Sequence, residues 1–172
     1  GGDALRLYTE AVRMDPSYGP AFLGLGELRA ALGDPDEAER VFALALGLPT
    51  ASADAYAARA RLRYRRGDMD GAVTDMEASL AVAPGDAPRL LQLAGWHVAR
   101  QGWAAALVSW RRLLVLYERT DQSSAADHAR TQVRALTVLA AESDPVHGIG
   151  GAHPSWVRRA LARIAVRLPE SD

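Results

Sequence analysis

Apolar residues recur along this chain at helical spacing, and the pattern returns in the same register. Ala4, Ala38, Ala72 and Ala106 stand 34 residues apart. So do Tyr8, Phe42, Met76 and Trp110, and so do Ala11, Ala45, Ser79 and Leu113. Three classes of position (small, large apolar, small or apolar) thus hold one register over four periods, which marks stacked supersecondary units. The 3.6-residue periodicity within each unit predicts helices near 3–15, 18–32, 35–47, 53–66, 69–82, 87–101, 103–119, 123–142 and 155–168. Gly33-Asp34 recurs as Gly67-Asp68, and Pro16 recurs two periods later as Pro84. Gly permits the positive φ that ends a helix, and Pro cannot continue one.

Spacing and residue types together resemble the tetratricopeptide repeat (TPR) family, whose second helix carries A-x3-F followed by Pro. The first-helix pattern W-x2-L-G-x2-Y is present in weakened form. Repeat two has Phe22, Leu25 and Gly26, and repeat four has Leu91, Ala94, Gly95 and Val98. Repeat three departs most, with Tyr56, Arg59, Ala60 and Arg63. The resemblance covers about residues 3–119 and implies an all-α, right-handed TPR-like solenoid of antiparallel helix pairs. The helix at 3–15 would be the second half of a repeat whose first half is missing. A longer array, or another chain covering that helix, is therefore expected, with self-association through it as one consequence.

After residue 120 the register fades, so residues 1–120 are read as repeats and 121–172 as a further helix pair with a C-terminal cap. Val133, Leu136 and Leu139 or Ala140 are expected to face inward from 123–142. At 155–168, Val157, Ala160, Leu161, Ile164 and Leu168 form one stripe, with Arg158, Arg159, Arg163 and Arg167 largely off it. Capping the stack is the expected role; lying on an anionic membrane is the other use of such a helix.

Charge changes the picture in one place. The chain is nearly neutral overall, with twenty Arg against twenty-one acids. That excludes a whole-protein field for nucleic acid, and no nucleic-acid partner is expected. The absence of Lys and Asn reads as a GC-rich coding bias, pointing to a bacterial source. Yet residues 1–86 carry nine Arg and fourteen acids, while 87–172 carry eleven Arg and seven acids. Five arginines crowd into positions 59–66. On a helix, Arg63 and Arg66 fall within about 40° of Arg59, and Arg61 and Arg65 lie roughly opposite. The tract is two stripes.

The resemblance assigns these stripes to faces. The concave wall of a TPR stack is lined by first helices, which here implies Arg61, Tyr64 and Arg65 in repeat three. In repeat four it implies Arg89, Gln92, Trp96 and Arg100, and in repeat two Leu23, Glu27 and Ala30. Arg forks and a Trp face suit an extended peptide or protein segment with carboxylates and one apolar or aromatic anchor. Arg59 and Arg63 replace packed apolar residues of the family pattern, so either acids of a neighbouring helix pair with them or the solenoid is more open here, and a structural salt bridge is expected. Asp70, Asp75 and Glu77 are the candidates.

No chemistry stands out. His97, His128, His147 and His153 show no ligand spacing, and the GIGG loop between the last two lacks the Lys and Ser/Thr of a phosphate loop. No catalytic set, metal or cofactor is expected. The peptide-carboxylate clamp of chaperone-binding TPR domains needs Lys and Asn, which this chain lacks. With no Cys, the redox compartment is not legible, and cytoplasm and periplasm both fit. The Gly1-Gly2 start without Met is that expected of a trimmed chain, from which any leader would have been lost. The function expected is a non-catalytic scaffold binding through the concave face. The alternative is a structural, oligomerisation or regulatory segment of a larger bacterial enzyme or envelope assembly.

Overall fold

The structure, a computed structural model, describes residues 2–143 together with Val157 and Arg159. The described residues are all helical or in turns between helices. They comprise α1 (Gly2–Met14), α2 (Gly19–Ala31), α3 (Pro35–Leu46), α4 (Ala53–Arg65), α5 (Met69–Val82), α6 (Ala87–Ala99), α7 (Trp103–Arg119) and α8 (Ser123–Glu142). The fold class is all-α and TPR-like. The chain divides into two compact units, Gly1–Pro84 and Gly85–Asp172. The units part at Pro84, whereas the repeat register fades only near residue 120; within the second unit α7 and α8 pack extensively against each other.

In the first unit α2 pairs with α3 and α4 with α5. The three 34-residue rows supply the contact. Ala38 and Ala72 are fully buried, and so are Phe42 and Met76 one turn later. A methyl group at the row lets the backbones approach, and the large residue fills the space beside it. Gly26 on α2 shows how close that approach is. A Cβ added there would sit 2.5 Å from the Phe42 ring. Phe22, Leu25, Val41, Ala45 and Ala55 form one core cluster, with Leu5 and Val12 of α1 packed on its edge. Ala38, Phe42, Ala58 and Leu62 form a second. Ser79 replaces the apolar residue of the third row, and its buried hydroxyl donates to the Ala53 carbonyl at 2.7 Å.

The first period is less covered than the others. α1 has no fully buried residue. Ala4 and Ala11 are half-buried, and Tyr8 is 38% exposed. The Tyr8 ring still packs on α2, where a Cβ on Gly24 would meet it at 2.4 Å.

The second unit repeats the scheme with α6, α7 and α8. Ala106 and Leu113 are fully buried, and Trp110 nearly so. The inward row of α8 runs through Ala126, Ala129, Gln132, Ala135, Leu136 and Leu139. Val133 was expected inward but is only half-buried; the fully buried residue beside it is Gln132. Val157 is helical and buried and Arg159 exposed, as the stripe at 155–168 requires. The rest of that stripe, Ala160, Leu161, Ile164, Leu168, Arg158, Arg163 and Arg167, lies outside the described residues, as does the GIGG loop with His147 and His153.

All four tight turns share one backbone solution. Three residues separate α2 from α3, α4 from α5, α6 from α7 and α7 from α8. The middle residue is left-handed each time: Gly33 and Gly67 at φ 82, Gln101 at 57 and Asp121 at 54. In each, the amide after it reaches five residues back, as Asp34 N to Arg29 O and Gly102 N to His97 O do. This is the Schellman termination. The Gly-Asp dipeptide does two jobs in sequence. Gly ends one helix, and the Asp carboxylate of Asp34 or Asp68 accepts an amide of the next helix. Helix α6 therefore stops at Ala99 rather than at the predicted 101, because Gln101 has turned left-handed.

Two stability outcomes are expected, both read as shifts in urea midpoint. Gly26→Val should cost roughly 1–3 kcal/mol by overpacking against Phe42, whereas Gly85→Ala, which meets nothing within 4 Å, should not. Gln101→Gly should stabilise by roughly 0.5–1 kcal/mol, since a Cβ in the left-handed region costs more than the added chain entropy of Gly.

Candidate functional site

Helix α4 organises the candidate site of the first unit. Its core face is built almost wholly of alanine: Ala53, Ala55, Ala57, Ala58 and Ala60, with Leu62. Arg59, Arg63 and Arg66 flank that face. Arg59 grips Asp75 of α5 with both arms, Nε to Oδ2 at 2.8 Å and Nη2 to Oδ1 at 2.7 Å. Arg63 reaches the same carboxylate through Nη1 at 3.1 Å. Its Nε donates to Glu39 of α3 at 2.9 Å. Arg66 completes the set, with Nη1 3.1 Å from Glu39 and Nη2 2.8 Å from Asp36. Arg59 and Arg63 of α4, with Arg66 at its C-terminal cap, thus link this helix to both α3 and α5.

The Asp75 side chain is 4% exposed, so its charge is taken out of water and repaid by three hydrogen-bonding arms. That hydrogen-bonded carboxylate also holds the Arg59 guanidinium pKa above its ordinary value. Of the acids expected to pair here, Asp75 makes these bonds and Glu77 is exposed. Glu39 was missed. The signal was present, since Glu39 directly follows Ala38 of the buried row, but only the packing of α3 on α4 brings it within reach.

The opposite stripe of α4 carries the residues expected to recognise a partner. Arg65 is exposed, and Arg61 and Tyr64 are half-buried. Arg61 Nη2 lies 3.9 Å from Glu27 Oε1 on α2. The two first helices therefore bring their expected wall residues, Glu27 and Arg61, to one face. Both side chains stay well solvated there, a geometry that contributes little to stability.

The remaining expected residues lie on α6 in the second unit. Asp86 caps α6 by accepting the Arg89 amide at 3.0 Å, and it pairs with Arg89 Nε at 3.3 Å. Gln92 is half-buried and Arg100 exposed. Trp96 corrects the expectation of an offered aromatic face, because its side chain is 2% exposed. Residues 93–97 of α6 are all buried, so the indole at this point of the helix has no solvent-facing side and serves packing.

Elsewhere in the second unit, His128 meets Trp110 edge-on with ring centroids 5.5 Å apart. No group of three or more His, Cys, Asp or Glu among the described residues could hold a metal ion. None of the described helices is long and apolar enough to cross a membrane.

Stacked helix pairs with these turns make the fold TPR-like. The sequence model of the tetratricopeptide repeat family matches residues 2–62, so the resemblance carried by the 34-residue register is shown there. No curated protein matches the chain in sequence. Among solved structures, a crystal structure of MamA is similar with a TM-score of 0.56 and 17% identity, covering 79% of this chain and 86% of MamA. The APC/C hetero-tetramer Cut9–Hcn1 is similar at 0.55 and 17% identity, over 95% of this chain and 39% of that one. Naa15/Naa10 bound to HypK-THB gives 0.56 and 14%, over 93% and 30%. At such identities the likeness is one of fold.

Asp75→Ala should leave the half-buried Arg59 without its partner and cost about 3 kcal/mol, the low end for a broken buried pair because Arg59 keeps some solvent and Glu39 still serves Arg63. The check is the thermal midpoint, with exposed Glu77→Ala as the near-neutral control.

Proposed function

We propose that the protein is a non-catalytic scaffold that binds a protein segment on its first-helix wall. The observation that carries this reading is the partition of the α4 arginines. Arg59, Arg63 and Arg66 are engaged in joining α3, α4 and α5. Arg61 and Arg65 project from the other side, with Tyr64 beside them and Glu27 of α2 across from Arg61. A guanidinium fork on a solvated wall suits a carboxylate, and Tyr64 offers an amphipathic surface for an apolar anchor. In the second unit, taken by itself, Arg89, Gln92 and Arg100 are the residues on and beside α6 that would contact a partner, with Trp96 fixing that helix from within. The Cut9–Hcn1 and Naa15/Naa10–HypK structures are, by name, complexes of several proteins, which supports a protein partner for this fold.

A second reading rests on α1. Leu7 and Met14 are 63% and 71% exposed, so this helix could serve self-association in a larger assembly. Light scattering separates the readings: a scaffold stays monomeric while binding its partner, and an assembly segment grows in mass until Leu7→Glu stops it.

For the groove, Arg61→Ala with Arg65→Ala should weaken partner binding about tenfold, the ~1.4 kcal/mol of one charged hydrogen bond, at an unchanged melting temperature. Affinity capture with mass spectrometry, wild type beside the double variant, provides the measurement. An identical partner set at identical yield would remove these residues from the site.

A further inference from the structure

The 34-residue register allows the outer faces of α1, α3, α5 and α7 to be compared position by position, and α7 differs from the rest. Its outer stripe is Ala104, Val108, Arg111, Arg112, Val115 and Arg119, all exposed. On a helix these six fall within an arc of about 100°. Val108 and Val115 are 57% and 55% exposed, and two turns of helix, about 10.5 Å, separate them. The opposite side of α7 holds the core residues Ala106, Leu107, Trp110, Leu113 and Tyr117. One period earlier, the matching positions of α5 carry Asp70, Thr74, Glu77 and Ala81. Of the outer arginines of α1, Arg13 pairs with Glu10, and Arg6 makes no such bond among the described residues but has Asp3 and Glu10 one turn to either side; on α3 the outer Arg40 pairs with Glu37.

On α7 nothing balances them. Its one acid, Glu118, is bonded to Arg130 of α8 at 2.7 Å. Arg111, Arg112 and Arg119 make no hydrogen bond or ion pair among the described residues. Arg119 in the last turn favours the helix dipole, but Arg111 and Arg112 in mid-helix gain nothing for the helix itself, and two exposed valines between them gain nothing from water.

We propose that the outer face of α7 is a docking surface for an acidic amphipathic helix of a partner protein. Carboxylates on that helix would flank an apolar pair spaced to meet Val108 and Val115. Charge complementarity sets the sign of the partner. The apolar row selects its form, because short β-branched side chains two turns apart make a ridge that fits the groove of another helix. A membrane surface is disfavoured, since the stripe has no Trp, Phe or Leu to insert. RNA is disfavoured because no ring on the stripe is available for base stacking. This surface is separate from the first-helix wall and stands whether or not that wall binds.

Two synthetic helical peptides test it against the full chain by fluorescence anisotropy. One has leucines seven residues apart flanked by Glu, and the other has Lys in place of Glu. The Glu peptide should bind, and the Lys peptide should not. Arg111→Glu with Arg112→Glu should weaken binding roughly tenfold or more, as loss of two charged contacts requires. Val108→Asp should do the same, and Thr74→Ala on the matching face of α5 should change nothing. Circular dichroism confirms that each variant keeps its helices. Failure of the Glu peptide to bind, equal binding of the Lys peptide, or indifference to the α7 substitutions would overturn the proposal. So would tighter, stripe-dependent binding to phosphatidylserine vesicles or to single-stranded RNA.

Discussion

Close approach at one row of small residues governs the rest of the molecule. Ala38, Ala72 and Ala106 are wholly buried, with only a methyl group between their backbones and the helices packed on them. That contact fixes which residue one turn later must be large, and Phe42, Met76 and Trp110 fill that place. It also reaches across to the paired helix, where Gly26 makes room for the Phe42 ring. Helices this close and this short leave little choice of connection. Three residues with a left-handed centre is the solution used at all four turns. Periodicity in the sequence is therefore the trace of one steric requirement repeated, and each other regularity follows from it.

Most of the fold was legible for that reason. Helix limits depend on caps and stops, and these are local: Pro16 and Pro84 fall two residues beyond α1 and α5, and Ser52 and Asp68 cap α4 and α5. What was not legible were the turns in which Gly is replaced. Gln101 lies 34 residues after Gly67, so the register holds its backbone left-handed although its side chain argues against it. Asp121 after α7 uses the same left-handed turn but stands 20 residues after Gln101, outside the 34-residue register. At Gln101 the packing of the neighbouring helices over-determines the turn.

The site was less legible, and the difference is physical. Which face of α4 each arginine occupies follows from 100° per residue, and that division survives in the structure. Which acid each one meets does not, because pairing depends on how neighbouring helices are offset. Asp75 is on the helix that directly follows α4, and sequence proximity pointed to it. Glu39 is on the preceding pair, 24 residues from Arg63, where only the packing of α3 on α4 decides the contact. Trp96 misled for the opposite reason. A position assigned to a wall by analogy says nothing of how deep its side chain goes, and α6 is buried around residues 93–97.

Helix α4 also shows why a repeat can give up the apolar residues of its family pattern. Five alanines and one leucine bury little apolar area, so they contribute little hydrophobic stabilisation to hold the helix in one orientation. A two-armed Arg59–Asp75 pair holds it there, since both hydrogen bonds must be in line at once. Burial of the pair adds little net stability against an apolar substitute, so its main effect is to set rotation. Arg61 and Arg65 lie on the same rigid helix, roughly half a turn away. Fixing one stripe against α3 and α5 therefore aims the other at the face shared with Glu27. The ion network and the candidate wall are two sides of one constraint, and a change that frees Asp75 would misdirect Arg61 without touching it.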